Sequence, residues 1–183
     1  MRFVGPARKA IGKRTIFNLL GPMSNPAGTK RMLVGVCDNN WRHLMAGAFA
    51  ELGTEHIWVV HGVDGLDEIT TTGPTFISEV KDGKVRELEI HPESYGIDVT
   101  TIESLRGGHP AENAQALLAL LKGEHGDYRD IVRLNSGAAL MLAGLAGDIP
   151  SGIDLATESI DSGKALHALE TLIKVSSGEI AHG

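Results

Sequence analysis

The succession from Arg31 to Val60 limits the possible fold more than any other stretch. Arg31 to Val36 alternates and is rich in Met, Leu and Val, as a strand requires. Asp38-Asn39-Asn40 then supplies a polar turn in which either asparagine can cap a helix. From Trp41 the apolar positions Leu44, Met45, Ala48, Phe49 and Leu52 recur at helical spacing, and Gly53 stands where a left-handed terminator belongs. Ile57 to Val60 is apolar at consecutive positions, the pattern of a strand buried on both faces. Strand, helix and buried strand make a βαβ unit with a right-handed crossover, which places the chain in the α/β class.

The buried strand delivers the chain into His61-Gly62-Val63-Asp64-Gly65-Leu66-Asp67-Glu68-Ile69, with three carboxylates on a Gly-containing loop. Open α/β sheets bind ligands at the carboxyl ends of their strands, and this loop stands at such an end. Adjacent Asp67 and Glu68 suit magnesium, which takes one or two carboxylates, keeps waters and completes its shell with phosphate oxygens. The spacing alone is not specific, because acidic, Gly-containing turns are common at surfaces. It is not an EF-hand, since the alternating ligands and distal Glu are missing.

Around this unit the pattern changes. Thr15 can cap a short helix ending at Gly21-Pro22. Thr75 to Val80 and Val85 to Ile90 flank Lys81-Asp82-Gly83-Lys84, and Asp-Gly between two β-like runs predicts a hairpin. Antiparallel strands therefore join a mostly parallel, mixed central sheet flanked by helices. Pro92 to Gly108 reads as an irregular connection.

The remainder is helical. Pro110 starts a helix whose inner face would be Ala114, Leu117, Leu118 and Leu121, with Gly123 just past its end. A second helix is expected from Tyr128 to Leu145, inner face Ile131, Asn135, Ala138, Ala139 and Leu142. There Asn135 reads as a buried amide bonded to nearby backbone. A Pro-containing break between Gly147 and Gly152 precedes a last helix from about Asp154 to Val175. No interdomain linker or repeat interrupts residues 1–183, which read as a single α/β domain.

Composition removes whole classes. A formal charge of −6 and 4% aromatic residues oppose a nucleic-acid surface. The longest apolar stretch, Ala138 to Ala146, is far below the roughly 20 residues of a membrane span, so a cytoplasmic location is expected. The single Cys37 excludes an intrachain disulfide and reads as a small buried residue at a strand end. Eight scattered histidines give no zinc pattern, although His61 opens the acidic loop. There is no P-loop, dinucleotide fingerprint or nucleophile elbow, so covalent catalysis has no candidate residue. Arg8 and Arg14 can each grip a carboxylate or phosphate through two hydrogen bonds.

Three segments together carry a resemblance. Ala7-Arg8-Lys9-Ala10-Ile11-Gly12, the run Thr15 to Ala27 with Gly21-Pro22, and the acidic loop resemble the anthranilate phosphoribosyltransferase family in order and spacing. Gly107-Gly108, Glu112-Asn113-Ala114, Leu134-Asn135-Ser136 and Ser162-Gly163-Lys164-Ala165 resemble its C-terminal signatures. The family's N-terminal helical domain, Gly-Thr-Gly-Gly-Asp loop and Lys-His-Gly-Asn segment do not occur in these 183 residues. The chain thus resembles the C-terminal part of the family's large α/β domain, of the nucleoside-phosphorylase and phosphoribosyltransferase class, and the isolated stretch is expected to be inactive.

The resemblance implies a pentosyltransferase of tryptophan biosynthesis, with anthranilate and phosphoribosyl pyrophosphate as substrates and Mg2+ as cofactor. It implies Asp67 and Glu68 as metal ligands, Arg8 on the anthranilate carboxylate, and Gly21 and Pro22 lining the anthranilate channel. Met23-Ser24 stands where a Leu-Thr type pair is more usual. A homodimeric parent is implied, and where the joining domain is missing two states stay open, a monomer and association through the apolar surface left exposed. Two rivals remain at this point, a pyrimidine nucleoside phosphorylase and a non-catalytic nucleic-acid-binding relative. Arg8 with Gly21-Pro22 disfavours the first, and the acidic charge with the intact Asp67-Glu68 pair disfavours the second.

Overall fold

The computed structural model describes residues 19–178, together with Gly5, Ala10 and Gly12. Arg8, Arg14 and most of the expected helix after Thr15 lie outside the described residues. The first described element, α1 (Leu20–Met23), includes Gly21 and Pro22 instead of stopping at them. Proline is tolerated there because the N–H groups of a first turn have no intrahelical acceptor.

The βαβ unit is β1 (Arg31–Gly35), α2 (Asn40–Glu51) and β2 (His56–Gly62), with β1 and β2 parallel. Ile57, Trp58, Val59 and Val60 are all buried, as their consecutive apolar run requires. Two antiparallel strands follow, β3 (Thr75–Lys81) and β4 (Lys84–Ile90), giving a sheet in the order β1-β2-β3-β4. The sheet is mixed as expected, but among the described residues parallel pairing is confined to β1 and β2. Asp82 and Gly83 turn the hairpin at φ 50° and 71°, the left-handed pair that matches the twist of two antiparallel strands.

Because β2 alternates between two buried faces, it divides the core. Trp58 and Val60 face Leu134, Ala138 and Leu142 of α4 (Asp127–Ala143) and Ile149 and Ile153 of α5 (Ile149–Asp161). Ile57 and Val59 face Met45, Ala46 and Phe49 of α2. Glu79 on β3 is 2% exposed, yet it receives Trp58 Nε1 at 2.9 Å, contacts His56 Nε2 at 2.7 Å and pairs with Arg86. Burial works against its charge, but the hydrogen bonds from Arg86, Trp58 and His56 outweigh that and lower its pKa to about 2.

Several expectations need correction. The last helix is two, α5 and α6 (Lys164–Ser176), broken at Gly163, whose φ of 77° is left-handed. Conversely, the break expected at Gly147 to Gly152 is largely helix: Asp148 accepts the Ser151 N–H at 2.9 Å as an N-cap, and Pro150 sits in the first turn. On α3 (Pro110–Leu121), Ala114, Leu117 and Leu118 are exposed and Leu120 is the buried position, because the helix packs mainly against α5 and α6 among the described elements. Ala139 is exposed on α4, which ends two residues early at left-handed Gly144, and Cys37 is exposed beyond the last buried residue of β1's exit, Val36.

Among the described residues no helix is long and apolar enough to cross a membrane.

Candidate functional site

The carboxyl-terminal parts of β1 and β2, the acidic loop and the middle of α4 line an open cleft of about 370 Å³. Its floor is apolar, from Leu33, Val60 and Ile131, and Asp67 and Glu68 stand on its rim. Strand β2 runs through Gly62, so the acidic loop begins at Val63, two residues later than the sequence indicates.

The three carboxylates of that loop separate into two kinds. Asp64 turns inward: it accepts the Leu66 N–H at 3.0 Å, the Thr70 hydroxyl at 2.6 Å and the Thr72 hydroxyl at 2.7 Å. Burial opposes its charge, but those three donors prevail and its pKa is lowered. A side chain at Gly62 would come within 2.5 Å of Asp64 Oδ1, so the glycine makes room for this latch.

Asp67 and Glu68, by contrast, accept no hydrogen bond and meet no cation among the described residues. Partial burial raises the Glu68 carboxyl above its ordinary value of 4.5, and the adjacent Asp67 charge raises it further. Uncompensated negative charge at a cleft rim is the electrostatic setting a hard cation relieves. Among the described residues no group of three or more His, Cys, Asp or Glu side chains could hold a metal. The pair therefore fits Mg2+ that takes its remaining ligands from water and a phosphate, and does not fit a cage built from protein alone.

Two residues place the pair, Gly35, which carries no signal in the local sequence, and Asn135, whose partner the sequence does not show. A Cβ at Gly35 would overlap the Asp67 carbonyl group and come within 2.9 Å of the Asp67 Cβ, so only glycine lets the loop lie against β1. Asn135 of α4 bonds both main-chain groups of Ile69, at 2.9 and 2.7 Å, which extends the expected role of a backbone-bonded amide to the acidic loop itself. His61 contacts the Val36 carbonyl through Nδ1 at 2.8 Å and so ties the two strand exits together. Gly21 is exposed, and neither it nor Pro22 lines the cleft; their neighbours Leu19 and Met23 pack on the α2 side of the sheet. The signatures Gly107-Gly108 and Glu112-Asn113 form a lock at the start of α3: Asn113 Oδ1 accepts the Gly108 N–H at 2.8 Å and Glu112 accepts the His109 N–H at 2.7 Å.

The family described as "Glycosyl transferase family, a/b domain" matches residues 1–166. Anthranilate phosphoribosyltransferase of Maricaulis maris (strain MCS10) is 52% identical over 179 residues, covering 98% of this chain and 53% of that protein. The enzyme of the same name from Rhodopseudomonas palustris (strain BisA53) is 50% identical over 177 residues, covering 97% and 52%. Among solved structures, anthranilate phosphoribosyltransferase from Thermus thermophilus superposes with a TM-score of 0.85 at 41% identity, covering 93% of this chain and 50% of that one. That from Saccharomyces cerevisiae in complex with PRPP and Mg superposes at 0.86 with 28% identity, covering 96% and 51%. The chain thus spans about half the length of the relatives it matches.

Proposed function

Since this chain belongs to the glycosyl transferase family, a/b domain, we propose that it supplies the metal-binding half of an anthranilate phosphoribosyltransferase site. In that reaction the amino group of anthranilate displaces pyrophosphate from C1 of phosphoribosyl pyrophosphate. The observation that carries the reading is the Asp67-Glu68 pair at the carboxyl end of the βαβ unit, uncompensated among the described residues. The relative in complex with PRPP and Mg supports the choice of ligand.

The work of these residues is positional and electrostatic, which is why no nucleophile is required. Asp67 and Glu68 hold the cation at the mouth of the cleft. Magnesium bound there would offset the charge that grows on the departing pyrophosphate. Asp64 spends its own charge inside the loop and so keeps the rim to a two-carboxylate site. Arg8 is proposed to bind the anthranilate carboxylate, and Gly21 with Pro22 to let the flat ring approach closely. The Gly-Thr-Gly-Gly-Asp and Lys-His-Gly-Asn segments, to which the resemblance assigns most of the donor's binding, do not occur in residues 1–183, so this stretch by itself is proposed to be inactive.

Joining the chain to the upstream half of the Maricaulis maris relative provides the test. Loss of anthranilate fluorescence in the presence of phosphoribosyl pyrophosphate and Mg2+ is expected from the joined protein. With Asp67→Asn and Glu68→Gln together the rate should drop about 100-fold or more, the scale of losing a major electrostatic contact to the leaving group. A joined protein that cleaves nucleosides with phosphate and ignores anthranilate would refute the reading.

A further inference from the structure

Asn135 faces the acidic loop from α4, and the proposed transfer gives it no part. Both hydrogens of its amide are nevertheless engaged. Oδ1 accepts the Ile69 N–H at 2.9 Å, while Nδ2 donates to the Ile69 carbonyl at 2.7 Å and to the Ile131 carbonyl at 2.9 Å. An asparagine amide has two N–H hydrogens, so none is left to donate to a ligand in the cleft.

The arrangement restrains more than distance. Bonds to both the N–H and the C=O of one residue fix the direction of its backbone, as a neighbouring strand would. Ile69 is also completely buried, packed with Val60 and Leu134, so its side chain anchors the loop one residue after Glu68. Gly35 meets the loop at Asp67, and Asp64 latches its beginning. Asp67 and Glu68 therefore sit on a short span held at both ends.

We infer that Asn135 is a positioning residue for the metal: by registering Ile69 it sets where Asp67 and Glu68 present their carboxylates, touching neither cation nor substrate. The inference rests on the proposed assignment of those two carboxylates to Mg2+.

Mn2+ is a suitable probe, because its paramagnetism broadens amide signals near the site even when binding is weak. Titrated into the isotope-labelled 183-residue chain, it should broaden Asp67 and Glu68 first. Asn135→Ala should weaken Mn2+ binding about tenfold or more, the effect usual for residues that orient metal ligands. Asn135→Gln keeps the amide and lengthens its arm by one methylene, so it provides a milder variant if the first does not fold; a several-fold loss is expected. Asn113→Ala removes a comparable tie, from α3 back to Gly108 just before the helix, and should leave Mn2+ affinity unchanged.

Native affinity in a folded Asn135 variant would overturn the positioning role, whatever the change in melting temperature. An equal loss in Asn113→Ala would overturn it as well, by tracing the effect to general destabilisation. If the unmodified chain gives no broadening at Asp67 and Glu68, the metal assignment itself fails and takes the inference with it.

Discussion

Asp64, Asp67 and Glu68 carry the same chemistry, and their neighbours decide what each does. Asp64 gathers a main-chain N–H and two hydroxyls, so its charge is spent on loop geometry. Asp64→Ala should destabilise the chain by about 2 kcal/mol, since it strips a shared acceptor from three donors; urea unfolding measures this. Gly35→Ala should cost about 3 kcal/mol by the same measurement, because its Cβ would run into the main chain of Asp67 and only a backbone shift relieves it. A loss below about 0.5 kcal/mol in either variant would mean the loop is not held as described. The sequence makes Asp67 and Glu68 visible because adjacent carboxylates after a buried strand are a local pattern. Gly35 is invisible there, because what makes it obligatory is Asp67, and Asn135 is legible as a backbone-bonded amide but not by its partner, since it meets Ile69 across 66 residues of chain.

Elements were legible where one signal dominated. Consecutive apolar residues identified β2, Asp82-Gly83 identified the hairpin, and helical spacing identified α2. The errors came where two residue types competed. Pro150 and Gly152 read as a break yet fit the first turn of α5, whereas Gly163, inside an otherwise helical pattern, adopts the left-handed conformation that ends it. Gly152 is also a contact point, since a Cβ there would overlap the Gly137 carbonyl where α4 and α5 cross. Gly152→Ala should cost about 2 to 3 kcal/mol by forcing these helices apart. Within the sheet, Glu79 joins β2, β3 and β4 through Trp58, His56 and Arg86. Its folded pKa of about 2 lies below its ordinary 4.5. A depressed carboxyl stabilises the fold above the unfolded value and loses that contribution as pH falls through the folded one. Glu79→Gln should therefore cost about 2 kcal/mol near neutrality, with the gap to the native chain closing from about pH 5 towards pH 2. A gap independent of pH would assign the cost to packing and not to the charge.

At the scale of the whole molecule, the described residues leave apolar side chains exposed on two helices. Leu117 and Leu118 of α3 and Leu172 and Ile173 of α6 are all at least 37% exposed. Helical spacing is what made Leu117 and Leu118 look like core, and periodicity cannot tell which partner covers a face. Faces of this kind drive association, so sedimentation should show self-association that rises with concentration, and Leu117→Ser with Leu118→Ser should reduce it. Narrower than this is the proposal that Asp67 and Glu68 make the cleft a site for magnesium carrying a phosphate. It is tested most directly by titrating Mg2+ with pyrophosphate into the 183-residue chain and following amide signals. Shifts should concentrate at Gly35, Asp67, Glu68 and Asn135, require both components, and vanish in the Asp67→Asn, Glu68→Gln double variant. Identical shifts in that double variant, or none in the native chain, would contradict it.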